Sequence, residues 1–176
     1  TGTLKIAVPD SILIYNMQPF IQAFLHEAPN IQLVINSIQS GEINQSVADG
    51  TADIGINCEK EHYPDSIVHR KLGTYQILLV ASPLADRNLM DFITPHQRKP
   101  FSLICNEPDG YYQKDMDKYL SDKDIVLDPY MKVQSIEAVK QCVINNLGLA
   151  VVPSYSVETE LKNASLVPRK TELDKK

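Results

Sequence analysis

Short apolar runs that stop at proline, aspartate or glycine alternate along this chain with segments of helical spacing, and that alternation limits the fold more than any other feature. Leu4-Lys5-Ile6-Ala7-Val8 ends at Pro9-Asp10-Ser11, which reads as a strand, a turn and a helix start with Ser11 as a candidate N-cap. Ile14, Met17, Ile21, Phe24, Leu25 and Ala28 then recur at roughly helical spacing. Pro19 implies a kink or a restart there, because it cannot donate to the preceding turn. Ile31 to Ile35 is the next strand, and the polar stretch Asn36 to Gly41 contains Ser40, a candidate N-cap for a short helix carrying Ile43, Val47 and Ala48. Asp49-Gly50 stops that helix with a residue that tolerates left-handed geometry. Ile54-Gly55-Ile56 is a third strand.

A polar loop holding Glu59, Lys60, Glu61 and His62 follows, and Tyr75 to Ala81 is the strongest strand signal by its apolar and β-branched content, ended by Ser82-Pro83. From Asp91 the pattern begins again. It predicts a strand at Phe101 to Cys105, a loop at 106–110, a helix from about Tyr112 to Leu120, and a strand at Tyr130 to Gln134. A helix over 135–146, a strand over 149–152 and a last helix opened by Pro153-Ser154 complete it. Strands alternating with helices argue for parallel sheet, and the reset after Pro83 argues for two lobes, 1–81 and 82–176. The predicted class is α/β, two Rossmann-like lobes with mainly parallel sheets.

At 176 residues the chain has room for one sizeable core or two small ones, and its formal charge of −5 comes without any basic stripe able to neutralise phosphates. Direct nucleic-acid binding by these residues is therefore not expected. Cys58, Cys105 and Cys142 lie far apart without paired spacing, which fits a reducing compartment, and a cytoplasmic location is expected. Neither a signal peptide nor an eighteen-residue apolar run is present in the sequence. His26, His62, His69 and His96 are scattered, so no metal and no cofactor are expected. No glycine-flanked nucleophile elbow or Gly-rich phosphate loop points to an enzyme.

Several pieces, in their order, resemble the effector-binding domain of LysR-type transcriptional regulators. They are Gly2 to Ile6; Pro19-Phe20-Ile21 with Phe24 and Pro29; Val47 to Ile56, including Asp49-Gly50 and Asp53-Ile54-Gly55; Leu78 to Pro83; and Val143 to Pro153 with Gly148. The resemblance implies a fold similar to the type II periplasmic binding proteins, with a small polar metabolite bound between two lobes and no catalysis. It also implies a homodimer or homotetramer in the full-length protein, and DNA contact only through the family's N-terminal winged helix-turn-helix, with no membrane partner. The chain is expected to be the sensor part of a longer regulator, without that reader before it and without the family's C-terminal return segment after it.

In an open α/β fold a ligand sits beyond the carboxyl ends of the strands, facing helix starts. Four junctions qualify: Pro9 to Ile12, Ser37 to Gly41, Asn106 to Tyr112, and Gln134 to Ile136. The candidate effector contacts are Asp10, Ser11, Ile12, Ser37, Ser40, Gly41, Glu107, Gly110, Tyr111 and Ser135. Ser11 and Ser40 match positions where the family places hydroxyls against its effector, and Ser135 opens the corresponding helix of the second lobe, while a plain N-cap role also accounts for these three serines. Asp10 is out of place beside an anion, since it repels a carboxylate unless an amino group or a cation intervenes. Tyr112, His62, His69 and Arg70 are further residues the sequence does not place. Alternatives are an extracytoplasmic solute-binding protein of a transporter, an enzyme such as a dehydratase, and a redox switch through Cys105 and Cys142.

Overall fold

A first strand that runs from an exposed amino end into a fully buried carboxyl end sets the first layer of the structure, a computed structural model that describes residues 2–58, 63 and 66–173. Strand β1 (Gly2–Val8) has Ile6, Ala7 and Val8 fully buried at its carboxyl end. Helices α1 (Asp10–Tyr15) and α2 (Gln18–Glu27) follow, with Pro19 in the first turn of α2. The expected disturbance at Pro19 is thus a restart, since the missing N–H is one that a first turn leaves unbonded anyway. Strand β2 (Ile31–Ser37) pairs with β1 in parallel, in unbroken register from Gly2 opposite Ile31 to Val8 opposite Ser37.

Helix α3 (Ser40–Ala48) leads to strand β3 (Ile54–Gly55), which lies on the other side of β1, so the sheet order is β2-β1-β3. Gly50 takes φ +76° just after α3, the left-handed stop its position suggested. Asp53 then locks the approach to β3: its carboxylate accepts from the Lys5 N–H at 2.8 Å, while its own N–H donates to the Lys5 carbonyl at 2.9 Å. A Cβ at Gly55 would lie 2.6 Å from Ile43 Cγ2, so glycine lets α3 rest directly on β3. Ala7, Ile43 and Ala52 form the small core there, flanked by Ile38 and Val47.

The second unit is built around strand β4 (Ile77–Ala81), which runs antiparallel between β7 (Ala150–Pro153) and β8 (Val167–Arg169). Strand β5 (Gln97–Cys105) pairs in parallel with β6 (Ile125–Lys132), connected through helix α4 (Tyr111–Asp122). Helix α5 (Ile136–Ile144) returns the chain to β7, and a parallel bridge between Leu103 and Leu149 ties β5 to β7. Helix α6 (Glu158–Lys162) precedes β8. Phe92, Leu103, Met116, Leu79 and Leu149 lie at the centre of this larger core.

Three expectations need correction. The chain divides into compact units Thr1–Gly73 and Thr74–Lys176, so the division falls after Gly73 and not after Ala81, because β4 is hydrogen-bonded on both sides by strands of the second unit. The strand expected at 130–134 runs over Ile125–Lys132; Pro129 is tolerated because, among the described residues, β6 pairs only with β5. The last helix splits into a 3₁₀ turn, Ser154–Ser156, and α6.

Candidate functional site

Parallel pairing puts the carboxyl ends of neighbouring strands side by side, and this is what assembles the predicted residues within each unit. In the first unit Val8 pairs with Ser37, and the Ile38 N–H donates to the Val8 carbonyl at 3.1 Å. The segments 9–12 and 37–41 therefore leave the sheet as neighbours. Asp10 is the first residue of α1 and is half-buried; Ser11 and Ile12 behind it are buried. Ser37 ends β2 exposed, Ser40 opens α3 buried, and Gly41 follows it exposed.

Neither Ser11 nor Ser40 is the N-cap it was expected to be. Pro9 and Gln39 occupy the cap positions, and neither makes a side-chain cap hydrogen bond. The helices begin one or two residues earlier than a hydroxyl-based reading places them, because proline's fixed φ and an extended Gln39 already set the turn. Both serines are instead buried within the first turns, where each has a polar partner.

Sequence reading missed one residue of this edge. Asn57, just beyond β3, donates from Nδ2 to the Ser40 carbonyl at 3.2 Å and accepts from the Cys58 N–H at 2.7 Å. It ties the loop after β3 to the start of α3. Its signal was available, since the first polar residue after the strand beside β1 has to emerge at the same edge. Beside these residues a groove of about 680 Å³ runs between β2 and α3, lined by Asn36, Ser37, Gly41, Gln45 and Asp49 among others.

The second unit repeats the arrangement. Cys105 pairs with Lys132, and the Val133 N–H donates to the Cys105 carbonyl at 3.0 Å, so 106–111 and 133–136 emerge together. Asn106 and Glu107 are buried, the Gly110 N–H donates to the Glu107 carbonyl at 3.0 Å, and Gly110 is the N-cap of α4. Tyr111, the first residue of α4, is half-buried. Ser135 is the one predicted cap that caps: its Oγ accepts from the Ala138 N–H at 3.1 Å at the start of α5.

Other candidates are placed elsewhere. Tyr112 belongs to the core of the second unit, His69 stacks on Tyr63 with ring centroids 4.4 Å apart, and Arg70 is exposed. His62 lies outside the described residues. Burial, with Asp117 nearby, pushes the Cys105 thiol up, which keeps it protonated at neutral pH and a poor nucleophile. Among the described residues, none of Cys58, Cys105 and Cys142 is joined in a disulfide. Among the described residues, no group of three His, Cys, Asp or Glu side chains is placed to hold a metal ion, and no helix is long and apolar enough to cross a membrane.

Comparison with known proteins adds a family-level match. The model of the LysR substrate binding domain matches residues 1–174. The HTH-type transcriptional regulator YfiE of Escherichia coli is 29% identical over 167 residues, covering 94% of this chain and 56% of that protein. YwqM of Bacillus subtilis, also an HTH-type regulator, is 26% identical over 162 residues, covering 92% of this chain and 55% of its own. The chain thus spans about half the length of these curated relatives. Among solved structures, the regulatory domain of MetR, a LysR family regulator from N. meningitidis, superposes with a TM-score of 0.74 at 22% identity, covering 96% of this chain and 77% of that one.

Proposed function

The chain belongs to the LysR substrate binding domain family, and on that premise we propose that it senses a small-molecule effector for a bacterial transcriptional regulator. The family match across residues 1–174 is the observation that carries this reading. The proposed contacts are the helix starts at the carboxyl edge of each unit taken by itself: Asp10, Ser11, Ile12, Ser37, Ser40 and Gly41 in the first, and Glu107, Gly110, Tyr111 and Ser135 in the second. Buried hydroxyls beside backbone N–H groups at helix starts suit polar recognition of a small metabolite.

The mechanism is a population shift. A ligand that binds one arrangement of the sensor more tightly than another favours that arrangement, and the regulator's DNA affinity changes by the same coupling free energy. DNA is read by a helix-turn-helix elsewhere in the full-length protein, which works as a dimer or tetramer in the cytoplasm. The domain catalyses no reaction; its helix-start residues bind and release.

A thermal-shift screen of amino acids, amines, small carboxylates and phosphorylated metabolites tests this reading, since a ligand that binds only the native state raises the melting temperature. A hit should also alter the affinity of the full-length protein for DNA from its own promoter region. A gene start encoding a secretion signal in place of a helix-turn-helix would overturn the regulator reading in favour of a transporter's solute-binding protein.

A further inference from the structure

A buried cation calls for an anion or a full set of acceptors, and the second unit holds cations that lack the first. Lys99, 2% exposed, donates to the Leu89 carbonyl at 2.7 Å and to Gln97 Oε1 at 2.8 Å, and its Nζ lies 5.0 Å from the centre of the Phe92 ring. All three neighbours are neutral. They fix the 3₁₀ turn Arg87–Leu89, whose Leu89 side chain packs on the core of the unit.

Arg169, the last residue of β8, lies opposite Leu79 of β4 and two residues on from Val167. It therefore shares a sheet face with both, and both pack into that same core. Its Nε is buried and, among the described residues, meets no hydrogen-bond acceptor. Burial, and after it the charge of Arg87, hold the Arg169 guanidinium below its ordinary value, so the two like charges are close enough to repel. Among the described residues neither Arg87, Lys99 nor Arg169 forms an ion pair. The acidic side chains on either side of the turn are committed to backbone: Asp86 accepts from the Asn88 N–H at 2.9 Å, and Asp91 from those of Ile93 and Thr94. Lys123 is already answered by Glu172 at 2.8 Å.

We propose that Arg87 and Arg169 form a binding site for a tetrahedral oxyanion, phosphate or the phosphoryl group of a small ester, on the second unit. A guanidinium offers paired N–H groups in a planar fork that matches two oxygens of such an ion. A carboxylate has oxygens for one fork; a tetrahedral dianion has them for two. Arg87 is exposed and Arg169 partly so, which leaves the pair open to solvent, and an oxygen that accepts from Nε removes the one unanswered donor. The buried charge of Lys99 on the same turn adds to the attraction. None of the proposed effector contacts takes part, so the site stands apart from the effector-sensing reading.

Calorimetric titration of the purified protein with inorganic phosphate, sulfate and glycerol 3-phosphate, set against acetate and chloride at equal ionic strength, tests the proposal. Saturable binding of the tetrahedral ions is expected, and saturation separates a site from the general stabilising action of these salts on folded proteins. Tighter binding of the ester than of free phosphate identifies a phosphorylated metabolite as the source, and the reverse order identifies the free ion. Arg87→Gln and Arg169→Gln should each weaken binding at least tenfold, and Arg169→Lys, which keeps the charge without the fork, should restore only part of it. Lys118→Gln, on α4 beside Asp122, should leave it unchanged. Melting curves in phosphate-free buffer check folding, and the exposed Arg87 decides the matter if Arg169→Gln does not fold. No saturable phosphate or sulfate binding, acetate bound as well as phosphate, or binding indifferent to both arginine variants overturns the site and leaves the effector reading intact.

Discussion

Ser135 closes the start of α5 through its hydroxyl, 3.1 Å from the Ala138 N–H. Ser135→Ala leaves that donor without a partner at a half-buried helix end, and denaturant melts should show a loss of about 0.5–2 kcal/mol. The same change at Ser11 or Ser40 acts differently, since neither is a cap; there it removes a hydroxyl buried inside the first turn of a helix. Asp91 offers a second test at this scale. Hydrogen bonding from the Thr94 side chain, then from the backbone N–H groups of Ile93 (2.8 Å) and Thr94 (3.2 Å), holds its carboxyl down at about 2, against 3.8 for an unperturbed aspartate. A carboxyl depressed on folding contributes stability that is fully present above its unfolded value and is lost as pH falls through the folded one. Asp91→Asn should therefore flatten the pH dependence of the melting temperature between about pH 4 and 2; an unchanged acid limb would remove Asp91 from the account.

At the scale of elements, Gly148 is needed for closeness, not for backbone freedom. Asn146 takes the left-handed turn after α5, at φ 58°, whereas a Cβ at Gly148 would stand 2.5 Å from the Ser102 carbonyl oxygen and 3.0 Å from Ile104 Cγ1. Those are the atoms beside the bridge that ties β5 to β7, where the Leu149 N–H donates to Ser102 at 3.0 Å. Gly148→Ala should cost about 1–3 kcal/mol through overpacking, read by chemical denaturation. The sequence showed a glycine after a helix and suggested only a stop; the close approach belongs to a strand some forty residues away. Strand β6 was displaced in the sequence reading for a related reason. Asp128-Pro129 looks like a breaker, and only its place as the strand with one partner makes proline acceptable. Strand β8 was missed because Val167–Arg169 is three residues long with proline in the middle, and its pairing partner, β4, was emitted much earlier in the chain.

For the molecule as a whole, the two compact units predict where a protease cuts first. Residues 66–76 carry no helix or strand, and Val68 and Leu72 are 100% and 80% exposed. Arg70 and Lys71, both exposed, lie in this stretch next to the division at Gly73. Brief trypsin treatment should give fragments ending at Arg70 or Lys71 by mass spectrometry before any cut within α4. First cleavage at Lys114 or Lys118 would mean that α4 opens more readily than the connection.

Local chemistry along the chain was enough to determine the α/β class, the alternation of most strands and helices, and the helix starts where the candidate site is sought. Apolar period, proline and glycine act over a few residues, so they are legible without a fold. Tertiary structure alone decided that β4 belongs to the second unit's sheet, that Asn57 ties its loop to α3, and that Glu107 is buried against the start of α4. Each of these depends on hydrogen bonds or burial set by the path of the folded chain, and no local pattern encodes them. The reading of the site as an assembly of helix starts therefore stands as a proposal, since the residues that form it were legible in the sequence while their burial was not.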